Sequence, residues 1–289
     1  LSLSLGLQLY SVRNELQKDP LGALEKVAAI GYKDLELAIH YSDAAGHGGY
    51  SVAGMKAAEF KSNLDRLGMR ALNAQMFPIE NVHWERLIPF VQEIEMPAVS
   101  ISMSMFKNRQ AAFDFSATLN KCGEICRKNG LDFYYHNHFQ EFQKFEGQTV
   151  MEIILANTDK DLVKIEFDTY WALRGGVDPS EYLRTLGERC DLVHQKDMPA
   201  TAKPVNWFDF FGEDADITLD KKLGTSTTDQ FTEIGEGVMD IPAIIATIRE
   251  MGIVKTIFVE QDFTARNQLD SVEFSYKRMV ELMNLSQTT

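Results

Sequence analysis

The stretch VKIEFDTY, residues 163–170, decides how the chain is read. Val163, Ile165 and Phe167 alternate with Lys164, Glu166 and Asp168, so a strand here turns an apolar face one way and three ionisable groups the other. Three more runs repeat the pattern: LDFYYHNH (131–138), DLVHQKD (191–197) and KTIFVEQD (255–262). Their polar faces carry Tyr134, His136 and His138; Leu192, His194 and Lys196; Phe258, Glu260 and Asp262. The opposite faces carry Phe133 and Tyr135, Val193, and Ile257 and Val259, which suit contact with helices, so the ionisable faces point inward.

Working outward, strand-like runs also occupy 5–10, 34–39, 70–76 and 98–103. Amphipathic segments with helical spacing lie at 20–30, 52–67, 84–95, 112–129, 149–156, 179–188, 241–251 and 272–283. Gly31, Gly68, Gly130 and Gly252 each close a helical pattern just before a strand, where a left-handed cap belongs. Asp178-Pro179 and Asp240-Ile241-Pro242 read as helix starts. Eight strand–helix units without a compositional break predict one (β/α)8 TIM barrel domain spanning residues 1–289. The rival, a doubly wound open sheet, needs a glycine-rich fingerprint after its first strand, and residues 9–13 (LYSVR) contain no glycine.

The bulk composition agrees. With 289 residues, 45% hydrophobic and 25% charged, the chain is neither collagen-like nor disordered. A net charge of −13 with no basic run argues against nucleic acid as a partner. Cys122, Cys126 and Cys190 form no C-x-x-C pair, which indicates neither a disulfide framework nor a structural zinc site. No run approaches the ~18 apolar residues of a membrane span, so a soluble protein is expected. The chain starts at Leu1 rather than Met, which leaves a signal peptide unreadable and both a cytoplasmic and a periplasmic location open. A homo-oligomer is also left open.

Two connections are long. Residues 44–51 are glycine-rich (Gly46, Gly48, Gly49) but lack the ending of a phosphate loop, so simple flexibility is the expectation. Residues 199–239 carry Trp207, Phe208, Phe210 and Phe211, either a packed turn or a lid over a sugar-sized pocket. Both belong at the C-terminal mouth of a barrel, where active sites are built.

Burying so many ionisable groups costs several kcal/mol each unless they pair or bind a metal. His136, Asp168, His194 and Glu260 stand at matched strand ends. Two nitrogen and two oxygen donors suit one divalent ion such as Mn, Co, Zn or Fe. Gln8, Glu36, Asn73, Gln75 and Ser102, from the earlier strands, read as hydrogen-bonding groups for a polyhydroxylated ligand.

The ordered set of LQLYSVR (7–13), YHNH (135–138) with Glu141-Phe142, FDTYW (167–171), HQKD (194–197), Gly235-Glu236-Gly237 and Val259-Glu260 resembles the sugar phosphate isomerase/epimerase family, the xylose isomerase-like barrels. The resemblance implies a single divalent ion at the barrel mouth, with a keto sugar or polyol as substrate. Asp168, His194 and Glu260 match three family ligands. The fourth position is commonly Glu in the epimerases, where two glutamates on opposite substrate faces exchange a proton; here it is His136.

A metal-bound imidazole has no free lone pair to serve as a base, so one-base chemistry is expected. Glu260 or another inward carboxylate removes a proton next to a carbonyl, and His138 or Lys196 delivers one elsewhere. Delivery to the neighbouring carbon or oxygen is isomerisation; delivery to a leaving group is elimination, as in a dehydratase or lyase. Glu36, Gln8, Gln75, Glu166, Trp171 and Glu236 complete the site as expected substrate contacts. Lys196 has an ion pair with Glu166 or Asp168 as its alternative role, Glu236 a turn, His138 the orientation of a ligand and Trp171 packing at the rim. An isomerase/epimerase is the leading reading. Its rivals are a keto-sugar dehydratase on the same fold, metal-assisted phosphodiester hydrolysis, and a carbohydrate-binding barrel without chemistry.

Overall fold

The computed structural model describes residues 3–43 and 48–285. Eight strands form a closed barrel: β1 (Ser4–Gln8), β2 (Asp34–Ala38), β3 (Arg70–Met76), β4 (Ala98–Ser102), β5 (Asp132–His136), β6 (Lys164–Asp168), β7 (Leu192–Gln195) and β8 (Thr256–Val259). Each pairs in parallel with the next, and β8 closes on β1 through Leu5 opposite Ile257 and Leu7 opposite Val259. The connecting helices cover the outside, as the apolar strand faces require: Ile165, Phe167, Val193, Ile257 and Val259 are all buried in the shell between strands and helices.

The helix starts and stops follow the local chemistry. Asp178 and Asp240 cap Pro179–Leu186 and Ile241–Met251 by accepting the backbone N–H of Glu181 and Ala243. Gly31, Gly68, Gly130 and Gly252 all have positive φ, the conformation that ends a helix before the chain turns into the next strand. The helix expected at 52–67 begins only at Ala57, because Val52 and Met55 pair across a tight turn with Ala53 at φ 49°.

The barrel interior is layered. At the base, Ala98, Tyr134, Leu192 and Phe258 form a small apolar plug with Leu72 against it. Gly6 makes room for this plug, since a Cβ there would lie 2.5 Å from the Phe258 ring. Above the plug the interior is polar.

Of the two long connections, the glycine-rich one contributes the strand Gly49–Ser51 to a ribbon with His40–Ser42, while Gly46 lies outside the described residues. The other is anchored at both ends. The Asp197 carboxylate accepts the N–H groups of Met198, Gly235, Gly237 and Met239, pinning the start of the excursion to its return. Buried Arg174 donates to the carbonyls of Pro204 and Val205 and to Gln230, and its guanidinium lies 4.5 Å over the Trp207 ring. Trp207 and Phe208 are buried, so this part of the aromatic run is packed. The same excursion folds a short helix, Leu219–Gly224, whose Lys222 is buried.

Candidate metal centre and barrel-mouth cavity

Seven of the eight expected strand runs overshoot the C-terminal ends of their strands by one to three residues, and that overshoot builds the site. Asp168 ends β6 and also caps the following helix, Thr169–Arg174, accepting Trp171 N–H at 2.8 Å with Oδ1 and leaving Oδ2 for the interior. After β5 the chain turns at Asn137 and His138, whose N–H is held by Glu141 at 2.8 Å. Lys196, Glu260 and Asp262 likewise lie just beyond the ends of β7 and β8.

Two tiers result. In the upper tier His136, Asp168, His194 and Glu260 each offer one atom within 4.8 Å of the others. Lys196 bridges the two carboxylates there, with Nζ 2.5 Å from Asp168 Oδ2 and 2.6 Å from Glu260 Oε2. In the lower tier Glu36 and Glu166 lie side by side, fully buried. Gln8 donates to Glu36, Asn73 donates to both carboxylates, and Gln75 reaches both at 3.3 Å. The two histidines span the tiers. His194 Nδ1 is 2.8 Å from Glu260 Oε2, and its Nε2 is 2.6 Å from Glu36 Oε2, off the line of a hydrogen bond. His136 has Nε2 3.7 Å from Asp168 and an unpartnered Nδ1 3.7 Å from Glu166.

The charges follow from this packing. Burial, reinforced by His194, pushes His136 well below the ordinary histidine range, so it is neutral. Burial also opposes charge on His194, but the carboxylates of Glu36, Glu166 and Glu260 outweigh it and hold the ring protonated. In the same way Asp168, Asp262 and Glu260 keep Lys196 an ammonium, which with His194 holds Glu260 ionised against its burial. Burial and the neighbouring Glu166 raise Glu36, while His194 holds Glu166 down.

The donor set fits a divalent transition ion. Neutral His136 turns Nε2 toward Asp168 Oδ2, 3.7 Å away, and His194 and the carboxylates of Asp168 and Glu260 offer the remaining donors, all within 4.8 Å of one another. An ion would take the place of the His194 Nδ1 proton and compete with Lys196 for Asp168 and Glu260. Glu260 alone of the four also faces the cavity above, a space of about 480 Å³ lined by Gln8, Tyr10, Gln75, Phe77, His138, Lys222, Asp262 and Phe263 among others.

A family model for the xylose isomerase-like TIM barrel matches residues 24–278. The chain belongs to that family. Among curated relatives, this xylose isomerase-like barrel is 28% identical over 147 residues to an inosose dehydratase of Geobacillus kaustophilus, covering 50% of this chain and 43% of that protein. A second inosose dehydratase, from Lacticaseibacillus casei, is 28% identical over 174 residues, 59% of this chain and 54% of its own length. The chain thus spans about half the length of the curated relatives it matches. A sugar phosphate isomerase/epimerase from Parabacteroides distasonis superposes with a TM-score of 0.77 at 25% identity, over 99% of this chain and 96% of that one. The IOLI protein, solved with a zinc atom bound, shares the fold at a TM-score of 0.69 and 12% identity, over 98% and 99% of the two chains.

Within the barrel the structure brings together most residues singled out from sequence. His136, Asp168, His194 and Glu260 converge, with Lys196 among them and His138 on the cavity wall. Gln8 and Gln75 line the cavity; Glu36 and Glu166 lie beneath the histidines, away from its wall. Trp171 is fully buried behind His138, at 5.4 Å between ring centroids, rather than at the rim. Glu236 stays apart from the cluster. It is half-exposed and pairs with Arg266 at 2.6 Å, in the turn that Asp197 clamps. Gly237 is required there because a Cβ would meet that carboxylate at 2.1 Å. Among the cavity residues that escaped the sequence reading are Lys222 and its partner Ser226. Neither sits in a periodic element, so no pattern marked them.

Proposed function

We propose that this barrel is a divalent-metal-dependent enzyme that removes a proton next to the carbonyl of a keto sugar or keto-polyol, and that the reaction continues as loss of water. His136, Asp168, His194 and Glu260 would hold the ion, which supplies Lewis-acid polarisation of a carbonyl oxygen. The observation that carries the reading is the asymmetry of the upper tier. Only Glu260 is both a ligand carboxylate and open to the cavity, whereas the position that would supply a second glutamate is a neutral, buried His136. A two-base exchange across the substrate is therefore unsupported by these residues. One carboxylate facing a wall of potential proton donors suits elimination, and the relatives named inosose dehydratase point the same way.

The chain's own groups divide the work. Before an ion enters, Lys196 and His194 hold Glu260 ionised against its burial. Glu166 and Glu36 face the lower ring nitrogens of the histidines and fix which nitrogen of each points upward. Gln8 and Gln75 present amides at the cavity floor for substrate hydroxyl groups. Isomerisation, the activity in the name of the Parabacteroides distasonis neighbour, is the competing outcome of the same first step.

The test is metal content of the purified protein beside Asp168→Ala, followed by solvent-deuterium incorporation into aldoses, ketoses and an inosose. About one equivalent of ion in the parent, little in the variant, and metal-dependent deuterium uptake are expected. A parent that takes up none of Mn, Co, Zn and Fe, or that labels no member of the panel, refutes the reading.

A further inference from the structure

Lys222 enters the cavity from the helix Leu219–Gly224 in the long connection after β7. It is 3% exposed, yet its ammonium has one hydrogen-bond partner, Ser226 Oγ at 3.1 Å, and lies 3.9 Å over the face of Trp171. Among the described residues no carboxylate stands within ion-pair distance of it, in contrast to Lys196, which has Asp168, Glu260 and Asp262. A buried ammonium without a counter-ion is costly to keep charged. Such a group gives up its proton more readily than a solvated lysine.

We propose that Lys222 is the acid that protonates the departing hydroxyl group in a β-elimination from a keto-polyol seated in the barrel mouth. The inference rests on the proton-abstraction reading above and deepens it by naming the donor. Glu260 takes the proton from the carbon next to the carbonyl, and the electron pair of that C–H bond forms the new C=C. The C–O bond on the adjacent carbon breaks, and the oxygen leaves as water with the proton from Lys222. The products are an enone, water, a protonated Glu260 and a neutral Lys222 amine; transfer of one proton through solvent restores both side chains.

The surroundings suit that role. The groups facing Lys222 are His138 and Glu141 after β5, Asp168 at the end of β6, Lys196 after β7 and Glu260 and Asp262 after β8. Burial is the largest influence on the amine and, with Lys196, brings it down to about 8 against the pull of the three carboxylates. The ammonium is thus still charged at neutral pH but close to releasing its proton. Trp171 is a positioning residue, since its ring lies under the ammonium and its own location is fixed by Asp168.

The test uses an inosose as probe and reads two events separately, solvent deuterium entering the recovered ketone and formation of the dehydrated product. In Lys222→Met, dehydration is expected to fall by about 10² to 10⁴-fold while deuterium exchange stays within a few fold of the parent. Lys222→Arg, which keeps the charge but is a far weaker acid, is expected to fall similarly, and circular dichroism melting of both variants checks folding. A β-fluoro analogue of the ketone, whose leaving group needs no proton, is expected to close most of the gap between Lys222→Met and the parent. Dehydration in Lys222→Arg within tenfold of the parent, or equal loss of exchange and dehydration in both variants with no gain on the fluoro analogue, overturns the assignment. A parent that neither exchanges nor dehydrates the inosose overturns the underlying reading and the assignment together, so the two failures are told apart.

Discussion

Replacing Lys196 with Met isolates the clamp on the upper tier. The ammonium is 2% exposed and sits 2.5 Å from Asp168 Oδ2 and 2.6 Å from Glu260 Oε2, carboxylates that are themselves buried. Methionine fills the space of the stem but leaves those carboxylates facing each other, with His194 as the remaining nearby positive charge. Breaking a buried pair by removing one partner costs about 3–5 kcal/mol. Unfolding entropy scaled to a chain of this size makes each kcal/mol worth about 1.5–2 °C, so the midpoint should fall by about 5–10 °C in the presence of a chelator. The same geometry predicts what an ion does. An ion at 100 times its Kd adds about 2.7 kcal/mol to any protein that binds it only when folded. In the parent such an ion would first have to displace Lys196 from both carboxylates. The variant should therefore bind Mn or Zn more tightly than the parent, and its melting deficit should shrink when the ion is added. Thermal unfolding by circular dichroism, with chelator and with a titrated ion, reads both effects. A midpoint within 2 °C of the parent under chelator, or a deficit unchanged by the ion, refutes the view that ammonium and metal share the same two carboxylates.

Three further outcomes follow from other parts of the barrel. Glu166→Gln keeps the side-chain shape but removes the charge facing His194 Nε2 at 3.4 Å and His136 Nδ1 at 3.7 Å, and should weaken metal binding by about 10 to 100-fold in a chelator competition; unchanged affinity would show that the lower tier does not orient the ligands. Glu141, buried and accepting from Tyr135 and His138 N–H, is raised to about 7 from 4.5 chiefly by burial. The native state therefore binds its proton more tightly than the unfolded chain, and up to about 3 kcal/mol of stability present below pH 4.5 is lost as pH rises through 7. Urea unfolding at stepped pH should show this slope in the parent and not in Glu141→Gln, and matching profiles would exclude it. Gly6→Ala forces a methyl to 2.5 Å from the Phe258 ring and 2.9 Å from the Asp34 carbonyl, which should cost about 1–3 kcal/mol in denaturant unfolding. A loss below 0.5 kcal/mol would mean that the plug yields freely.

The barrel itself was legible because its determinants are periodic. A two-residue alternation fixes which face of β6 or β8 meets the helices, and a slip of one residue would turn Glu166 and Asp168 into the apolar shell that holds Ile165 and Phe167 instead. The helix ends were legible for a different reason: glycine at positive φ and aspartate caps are local chemistry, independent of the partner elements. Face, however, is not height. Strands of a barrel are tilted and staggered, so Glu166 lies level with His136 and Leu192 on its neighbours, while Asp168 lies level with His194. From spacing alone, Glu36 and Glu166 could only be placed on the inward face and were read as substrate contacts. Side-chain reach, which spacing does not encode, turns them against the ring nitrogens of His136 and His194, and brings Lys196, two residues beyond His194, to Asp168 and Glu260.

Lys222 shows where periodic reasoning stops. Its neighbours in the chain, Asp220, Lys221 and Leu223, carry no strand or long-helix pattern, and a lysine on a six-residue helix in a long loop reads as a solvated charge. What buries it is the path of the loop, and that path is set from far away in sequence: by Asp197 gathering four backbone N–H groups at both ends, and by Arg174 holding residues 204, 205 and 230 from beneath. Neither anchor makes a hydrogen bond to Lys222. The anchors are therefore testable apart from the lysine. Asp197→Asn keeps the volume but loses the acceptor charge that draws in Gly235, Gly237 and Met239, and it should release Lys222 from Trp171 without touching either residue. The expected signature is greater solvent exposure of Trp171 fluorescence together with loss of dehydration and retention of deuterium exchange, the same split as in Lys222→Met. An Asp197→Asn protein that loosens the loop, yet dehydrates an inosose at the parent rate, would separate the loop from the chemistry and leave the buried lysine without its proposed purpose.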